Sequence, residues 1–356
     1  MIPLFKVRMS KKAKKEVSKV LDSGYIGQGD KVEEFENKLQ SELRLQTRPI
    51  TVNSCTSAID LALHLCGVGS GDEVISTPQT CFASNIGPIH RGASIRWADI
   101  DPISGLICPD SVKSLITNKT KAIIAVDWAG KFCDYAQLKS FGIPVIQDAA
   151  HVWNVFSNTK VEQGDYTCYS FQAIKYLTTS DGGLLVCPPK KEHEARLLRW
   201  YGLDRTLGQS FRCTQNIISA GFKYHMNDVC ATIGLCNMEE AKKSVIATRK
   251  NSKYLISRIK NENFIIPEYD ETSSFWLFSM HVKERKSEFI DYLSKNGISS
   301  SPVHFRNDKY DCTIKFSENA LIGVDRFSET QICIPNGWWL SRKDLDHIVT
   351  VLNAFV

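Results

Sequence analysis

Three polar segments of the sequence carry side chains that could take part in chemistry. Asn53-Ser-Cys-Thr-Ser57 follows a short apolar run and opens a predicted helix, where hydroxyl groups and free backbone N–H groups can hold a phosphate. Asp148 ends another apolar run, and a carboxylate among apolar neighbours needs a cationic or hydrogen-bonding partner. Lys175 follows a third run, and a lysine beside a buried ligand can lose its proton and attack a carbonyl carbon. Taken singly, each residue also has a simpler interpretation: a helix N-cap, a capping aspartate and a solvated lysine.

These segments are embedded in a pattern of alternating strands and helices. The predicted strands are short and several are almost entirely apolar, as expected of strands that are buried on both faces; they span 72–76, 95–98, 121–127, 144–148, 168–171 and 183–187. Predicted helices over 32–43 and 56–66 precede them. The pattern predicts an α/β fold with an open, mostly parallel sheet. Ligands bind at the carboxyl ends of such strands, where the polar segments lie.

The C-terminal third of the sequence has a different pattern. A long helical stretch begins at about Asn227 and continues to Arg258. A strand over 275–282, a helix over 287–295 and a closing helix over 340–355, with Ser341 as N-cap, predict a smaller α+β unit. We therefore predict a large domain over residues 1–240, including an N-terminal arm, and a small domain over residues 241–356.

Composition narrows the functional classes. The 356 residues carry a formal net charge of +5, which is low for a nucleic-acid-binding protein but suits an anionic small-molecule ligand. The sequence has no run of eighteen apolar residues, so it predicts no membrane span, and the N-terminus lacks the apolar region of a signal peptide. The 12 cysteines are scattered without a CxxC pair, which favours free thiols in the cytoplasm over disulfides or a metal site. No GxGxxG motif follows a first strand, which disfavours a nucleotide-binding oxidoreductase.

An ordered set of motifs resembles one known family. The motifs are Ser54-Cys-Thr-Ser-Ala58, Gly71-Asp-Glu-Val-Ile75, Asp148-Ala-Ala-His151, Ser170-Phe-Gln-Ala-Ile-Lys175 and Gly182-Gly183. Their order and spacing are similar to those of the DegT/DnrJ/EryC1/StrS family of pyridoxal-phosphate-dependent nucleotide-sugar aminotransferases. The resemblance begins at Ile2-Pro-Leu-Phe5 and extends to the last helix. It implies the PLP-dependent transferase fold type I, in which a mostly parallel, seven-stranded-type sheet lies between helices and a smaller C-terminal domain follows.

The resemblance also implies roles for individual residues. Lys175 corresponds to the lysine that holds pyridoxal phosphate as a Schiff base and shuttles the proton, and Asp148 to the partner of the pyridinium nitrogen. Phe82 would stack on the cofactor ring and His151 would pack against it. The other implied cofactor contacts are Ser54, Cys55, Thr56, Ser57, Ser170 and Gln172, with Lys223 of the partner subunit; Thr56, Ser57 and Ser170 would bind the phosphate. Implied substrate contacts are Tyr25, Ile26, Lys223, His304 and Arg306.

The implied reaction moves an amino group from L-glutamate to a nucleotide-linked keto-deoxysugar, such as a 4-keto-6-deoxyhexose or its 3-keto equivalent. The product would enter a glycan, a lipopolysaccharide O-antigen or a glycosylated metabolite, and a homodimer with shared active sites is expected. No metal is implied.

The sequence departs from the common family pattern at Gln172, Tyr176, Lys223-Tyr-His-Met226 and Asp127-Trp-Ala-Gly130. Two alternatives remain: a sugar dehydratase, against which Lys175 argues because one dehydratase branch has histidine there, and a non-catalytic binding or regulatory protein. Trp276, Trp338 and Trp339 could shape a sugar or base site, but we interpret them as core residues.

Overall fold

The computed structural model describes residues 1–153, 161–208, 210, 212–317 and 319–356. Helices in this part of the chain are α1 Ala13–Ser23, α2 Asp30–Leu43, α3 Cys55–Leu65, α4 Ala83–His90, α5 Pro109–Leu115, α6 Tyr135–Ser140, α7 Pro189–Arg199, α8 Asp228–Arg258, α9 Lys286–Lys295, α10 Ile322–Thr330 and α11 Arg342–Asn353. Strands are β1 Ile50–Val52, β2 Glu73–Ser76, β3 Ser94–Trp97, β4 Thr120–Val126, β5 Val145–Asp148, β6 Tyr166–Ser170, β7 Gly183–Val186, β8 Phe264–Ile265, β9 Phe278–Val282 and β10 Gln331–Ile334.

Seven strands form the central sheet of the large unit. Their order is β1-β7-β6-β5-β4-β2-β3, and β7 runs antiparallel to both of its neighbours while the other pairs are parallel. The six predicted strands of this region correspond to β2 through β7, and the predicted α/β class with a mostly parallel sheet is confirmed. The apolar runs form strands because helices cover both faces: β4, for example, is buried throughout except at Lys121.

Two apolar layers enclose the central sheet. One layer joins α3 and α7 to the strands through residues such as Leu61, Ile124 and Leu198. The opposite layer contains side chains of α5 and α6, including Val112 and Leu138. These layers fix the carboxyl ends of β4, β5 and β6, from which the candidate site residues project.

The small domain is built on an antiparallel sheet of order β10-β9-β8. Helices α9 and α11 pack against it through Phe289 and Ile348. Helix α11 begins at a capping box formed by Ser341 and Asp344, which confirms the predicted N-cap. The strand predicted over 275–282 is shorter, because Phe275 has a φ of +53° that an extended strand does not allow.

The predicted boundary between residues 240 and 241 falls inside the continuous helix α8. Ala241 and Val245 still pack in the core of the large unit, whereas Leu255 packs in the core of the small domain. The N-terminal arm also reaches the small domain, because Ile2 pairs with Ile298. The two units therefore share both a helix and the arm.

All twelve cysteines lie in the described part of the chain and carry free thiols. In that same part, no helix is both long and apolar enough to cross a membrane.

Candidate active site

The N-terminus of α3 lies against the end of the central sheet. Ser54 is its N-cap: its Oγ accepts a hydrogen bond from the backbone N–H of Ser57 at 3.0 Å. The Ser57 hydroxyl lies 2.9 Å from the Ser54 hydroxyl and donates to Asn53 Oδ1 at 2.6 Å. Gly183 allows this close approach, because a Cβ there would lie 2.5 Å from the Ser54 carbonyl carbon. Gly183 also pairs with Ser170, which brings β6 near this helix N-terminus, and a helix N-terminus with hydroxyl groups suits an anion.

Asp148 ends β5 and is buried, with 3% of its surface exposed. Its carboxylate accepts hydrogen bonds from Ser84 Oγ at 2.7 Å and from the backbone N–H of Ala150 at 3.0 Å. The thiol of Cys55 lies 3.9 Å from the same carboxylate. Burial raises the pKa of Asp148, while the hydrogen bonds and the positive charge of Lys175 oppose that increase. Such a carboxylate attracts a cationic group from a ligand.

The Lys175 amine lies over the indole of Trp276, 3.6 Å from the ring centroid. Residues 172–175 form a tight turn, here called the lysine turn, in which the backbone N–H of Lys175 donates to the Gln172 carbonyl at 2.9 Å. Burial of the amine lowers the pKa of Lys175 to about 8, although Asp148 acts in the opposite direction. An amine with this pKa is a competent nucleophile near neutral pH.

Two histidine rings lie close to this lysine. His151 is buried and stacks on Trp276 with a centroid distance of 4.2 Å and an interplanar angle of 20°. The His304 ring lies parallel to His151, with 6.3 Å between centroids. Burial and the charge of Lys175 lower the pKa of His151 well below its ordinary value and that of His304 to about 4. Both imidazoles are therefore neutral at pH 7.

Phe82 lies next to Cys81 at the start of α4. It precedes α4, and its ring makes an edge contact with Tyr310 at a centroid distance of 5.1 Å. The residue before it, Cys81, has an exposed thiol whose charge would raise the pKa of Lys175. Cys81 therefore lies within electrostatic range of the amine, a position that the motif around Phe82 did not indicate.

Arg306 is occupied by two carboxylates. Its Nε and one terminal nitrogen donate to Asp308, both at 2.7 Å, and its other terminal nitrogen pairs with Asp325. The guanidinium is thus neutralised within the small domain, and a substrate phosphate would have to compete with both aspartates.

The remaining predicted substrate contacts lie on the surface. Tyr25 and Ile26 are 84% and 51% exposed, in the segment that precedes α2. The Lys223 side chain is exposed as well, and the carbonyl of Lys223 accepts a bond from Asn53 Nδ2 at 3.3 Å. Thr56 and Gln172 are the last of the predicted cofactor contacts. Thr56 is half-buried at the start of α3, and Gln172 is exposed in the lysine turn.

Ser84 was not singled out from the sequence, and Trp276 was named as a possible sugar- or base-site residue but interpreted as a core residue. Ser84 binds Asp148 from α4, and no sequence signal separates it from other helical serines. Trp276 is buried as expected of a core residue, but its ring also contacts Lys175 and His151.

The donor set fits an aromatic aldehyde that carries a phosphate and a basic ring nitrogen. Lys175 provides a primary amine for the aldehyde, Asp148 a buried carboxylate for the protonated nitrogen, and α3 a hydroxyl-bearing N-terminus for the phosphate. Among the described residues, no group of three His, Cys, Asp or Glu side chains could hold a metal ion.

Comparison with known proteins agrees with this chemistry. The model of the DegT/DnrJ/EryC1/StrS aminotransferase family matches residues 7–353. The spore coat polysaccharide biosynthesis protein SpsC of Bacillus subtilis is 30% identical and aligns with 96% of this chain and 93% of its own.

Solved structures share the whole fold. AtS13 of Actinomadura melliaura is 33% identical, with a TM-score of 0.93 over 100% of this chain and 99% of its own. The sugar aminotransferase CalS13 of Micromonospora echinospora is 29% identical, with a TM-score of 0.92 over 99% and 100%. Spr1654 of Streptococcus pneumoniae, in its PLP form, is 25% identical, with a TM-score of 0.88 over 99% and 97%.

Proposed function

Because the chain belongs to the DegT/DnrJ/EryC1/StrS aminotransferase family and is a sugar transaminase, we propose that it aminates a nucleotide-linked keto-deoxysugar with L-glutamate as donor. Pyridoxal phosphate is the proposed cofactor, in keeping with the PLP form of Spr1654. The amino sugar would enter a glycan or a lipopolysaccharide O-antigen, and the polysaccharide role in the name of SpsC supports a destination of this kind.

The observation that carries the proposal is the Lys175 amine, covered by the Trp276 ring at 3.6 Å and within electrostatic range of the buried carboxylate of Asp148. With a pKa of about 8, about a tenth of the Lys175 amines are unprotonated at pH 7. An ordinary lysine with a pKa of 10.5 would have about 0.03% in that form. Burial thus increases the population of the nucleophile about 300-fold, which serves both covalent attachment and proton transfer.

Each residue then has a definite task. Lys175 holds the cofactor and, once released, moves the proton of the amine-bearing carbon. Asp148 keeps the ring nitrogen protonated, and Ser84 orients that carboxylate through its hydrogen bond. The N-terminus of α3 and Ser170 hold the phosphate. When bound, pyridoxal phosphate supplies an electron-withdrawing ring that accepts the electron pair left behind when this proton departs.

A second copy of the chain is the proposed partner. Tyr25, Ile26 and Ile218 are exposed apolar side chains, with Ile218 95% exposed, and a homodimer would cover them. In this assembly Lys223 of the partner subunit would approach the phosphate of the cofactor or of the substrate. The site would then be shared between subunits. The twelve free thiols favour a cytoplasmic location.

The decisive experiment is the visible absorbance of the purified protein after incubation with pyridoxal phosphate. The wild type should acquire a protein-bound band that L-glutamate bleaches, and Lys175→Ala should show neither effect. Lys286→Ala is the matched control, because Lys286 is another lysine whose pKa burial lowers, in the small domain. A band in Lys175→Ala would overturn the role of Lys175, and a wild-type band that no amino donor changes would favour dehydration or a binding role.

A further inference from the structure

Trp276 contributes a flat aromatic surface to the lysine site from the small domain. Its ring lies 3.6 Å from the Lys175 amine and stacks on His151 at 4.2 Å. The ring of Phe5, in the N-terminal arm, also stacks on Trp276, with 5.2 Å between centroids. The indole is thus fixed by aromatic neighbours from the large unit and from the arm.

The same segment of the small domain binds both residues that flank Lys175. The Trp276 Nε1–H donates to the Ile174 carbonyl at 3.3 Å, and the Tyr176 hydroxyl donates to the Ser274 carbonyl at 2.7 Å. Ser274 Oγ also donates to the His151 carbonyl at 2.8 Å. The lysine turn is therefore held at both ends by residues 274–276.

A strained residue sets the direction of this segment. Phe275 has a φ of +53°, which is rare for a bulky side chain, and it is only 2% exposed. Its ring stacks on Tyr269 at 5.4 Å, and its carbonyl accepts a hydrogen bond from Asn336 Nδ2 at 3.3 Å. This turn points the Ser274 carbonyl and the Trp276 ring toward the lysine turn. Strain that surrounding contacts maintain in this way is typical of functional sites.

We propose that Trp276 is a positioning residue for Lys175: it holds the lysine turn and excludes water from the amine, so that the small domain controls the reactivity of Lys175. This inference rests on the proposed attachment of the cofactor at Lys175. An indole face favours the cationic amine, whereas burial lowers the pKa of Lys175.

The other titratable groups around the amine come from several elements. Asp148 on β5, Cys55 on α3 and Cys81 before α4 all raise the pKa of Lys175. The neutral rings of His151 and His304 complete the surroundings. Since the Asp148 carboxylate acts against the observed direction, loss of the Trp276 cover should let the pKa of Lys175 increase.

The test measures Lys175 itself in the protein without cofactor. Trace acylation with acetic anhydride between pH 6 and pH 10, followed by mass spectrometry of the Lys175 peptide, gives the titration midpoint of the amine. Trp276→Leu should raise that midpoint by at least about one unit, which is a tenfold loss of free amine at pH 7. Trp276→Phe, which keeps a flat ring but loses the bond to Ile174, should restore most of the wild-type midpoint.

A second readout is the attachment of pyridoxal phosphate, trapped with borohydride and counted by mass at Lys175. At pH 7 the trapped fraction should form about ten times more slowly in Trp276→Leu than in the wild type. The matched control is Trp97→Leu, because Trp97 is a buried tryptophan of the same apolar cluster and makes no described contact with Lys175. Trp97→Leu should lower the Tm by about as much as Trp276→Leu does, but it should leave both Lys175 readouts unchanged.

The outcomes separate the two proposals. An unchanged midpoint in Trp276→Leu, or an equal change in Trp97→Leu, would overturn the positioning role. If the wild type takes no pyridoxal phosphate at Lys175, the proposed function fails, whereas the acylation midpoint still decides the effect of Trp276.

Discussion

Replacing Glu36 by glutamine should cost at least about 3 kcal/mol of the free energy of unfolding at pH 7. Glu36 lies on α2 and is 2% exposed, with Arg199 and Arg196 donating to its carboxylate at 2.6 and 2.8 Å. It also accepts hydrogen bonds from the backbone N–H and the hydroxyl of Thr51, on β1. Because β1 leads into the turn at Ser54, this cluster anchors the strand that presents the proposed phosphate site.

The magnitude follows from the protonation of Glu36. Burial alone would raise the pKa of Glu36, but Arg199, Arg196 and the bonds from Thr51 lower it from 4.5 to about 2. A shift of 2.5 units corresponds to about 3 kcal/mol. Since the folded pKa is the lower one, this stability is present above pH 4.5 and is lost as the pH falls toward 2. In Glu36→Gln, the buried Arg199 also loses its carboxylate, which adds to the cost.

Urea unfolding at pH 7 and pH 4 measures both effects. The difference in the free energy of unfolding between the wild type and Glu36→Gln should be about 1 kcal/mol smaller at pH 4 than at pH 7. Glu288→Gln is the control, because Glu288 forms an exposed ion pair with Arg285 and should change stability very little. Equal losses in the two variants, or a difference that does not vary with pH, would refute the argument.

Two further substitutions test the geometry of the site. Gly183→Ala would place a Cβ 2.5 Å from the Ser54 carbonyl carbon. We therefore expect the free energy of unfolding to fall by more than about 2 kcal/mol, visible as a lower Tm, and the protein to retain pyridoxal phosphate more weakly. An unchanged Tm would contradict the close approach. Ser84→Ala removes the hydroxyl that binds the Asp148 carboxylate at 2.7 Å, which should cost about 1.5–3 kcal/mol in urea unfolding, and Ser84→Thr, which keeps the hydroxyl, should recover most of it.

The sequence predicted the central sheet because its strands are apolar runs separated by clear breaks. Strands β1, β8 and β10, with three, two and four residues, were not among the predicted strands. Helix α4 was also missed, since Gly87 and Pro88 lie within it and disfavour helices in isolation. Tertiary packing, which a local pattern does not contain, stabilises these elements.

The candidate site likewise combines residues that local sequence patterns indicate with contacts between residues that are distant in the sequence. Lys175 and Asp148 could be proposed because Asp148 ends a recognisable run and Lys175 follows one, within an ordered set of motifs. The pairing of Arg306 with Asp325 joins residues 19 positions apart, and the contact of Trp276 with Lys175 depends on the left-handed turn at Phe275. Neither relation can be deduced from residue type and spacing alone.

Helix α8 has a mechanical consequence for the enzyme. With 31 residues it is about 46 Å long, and its two ends belong to different cores. The two domains are thus joined by a continuous helix rather than by a flexible linker, so a rotation of the small domain must bend or tilt α8. The same rotation would lift Trp276 from Lys175, so that domain opening and exposure of the amine to water become a single movement.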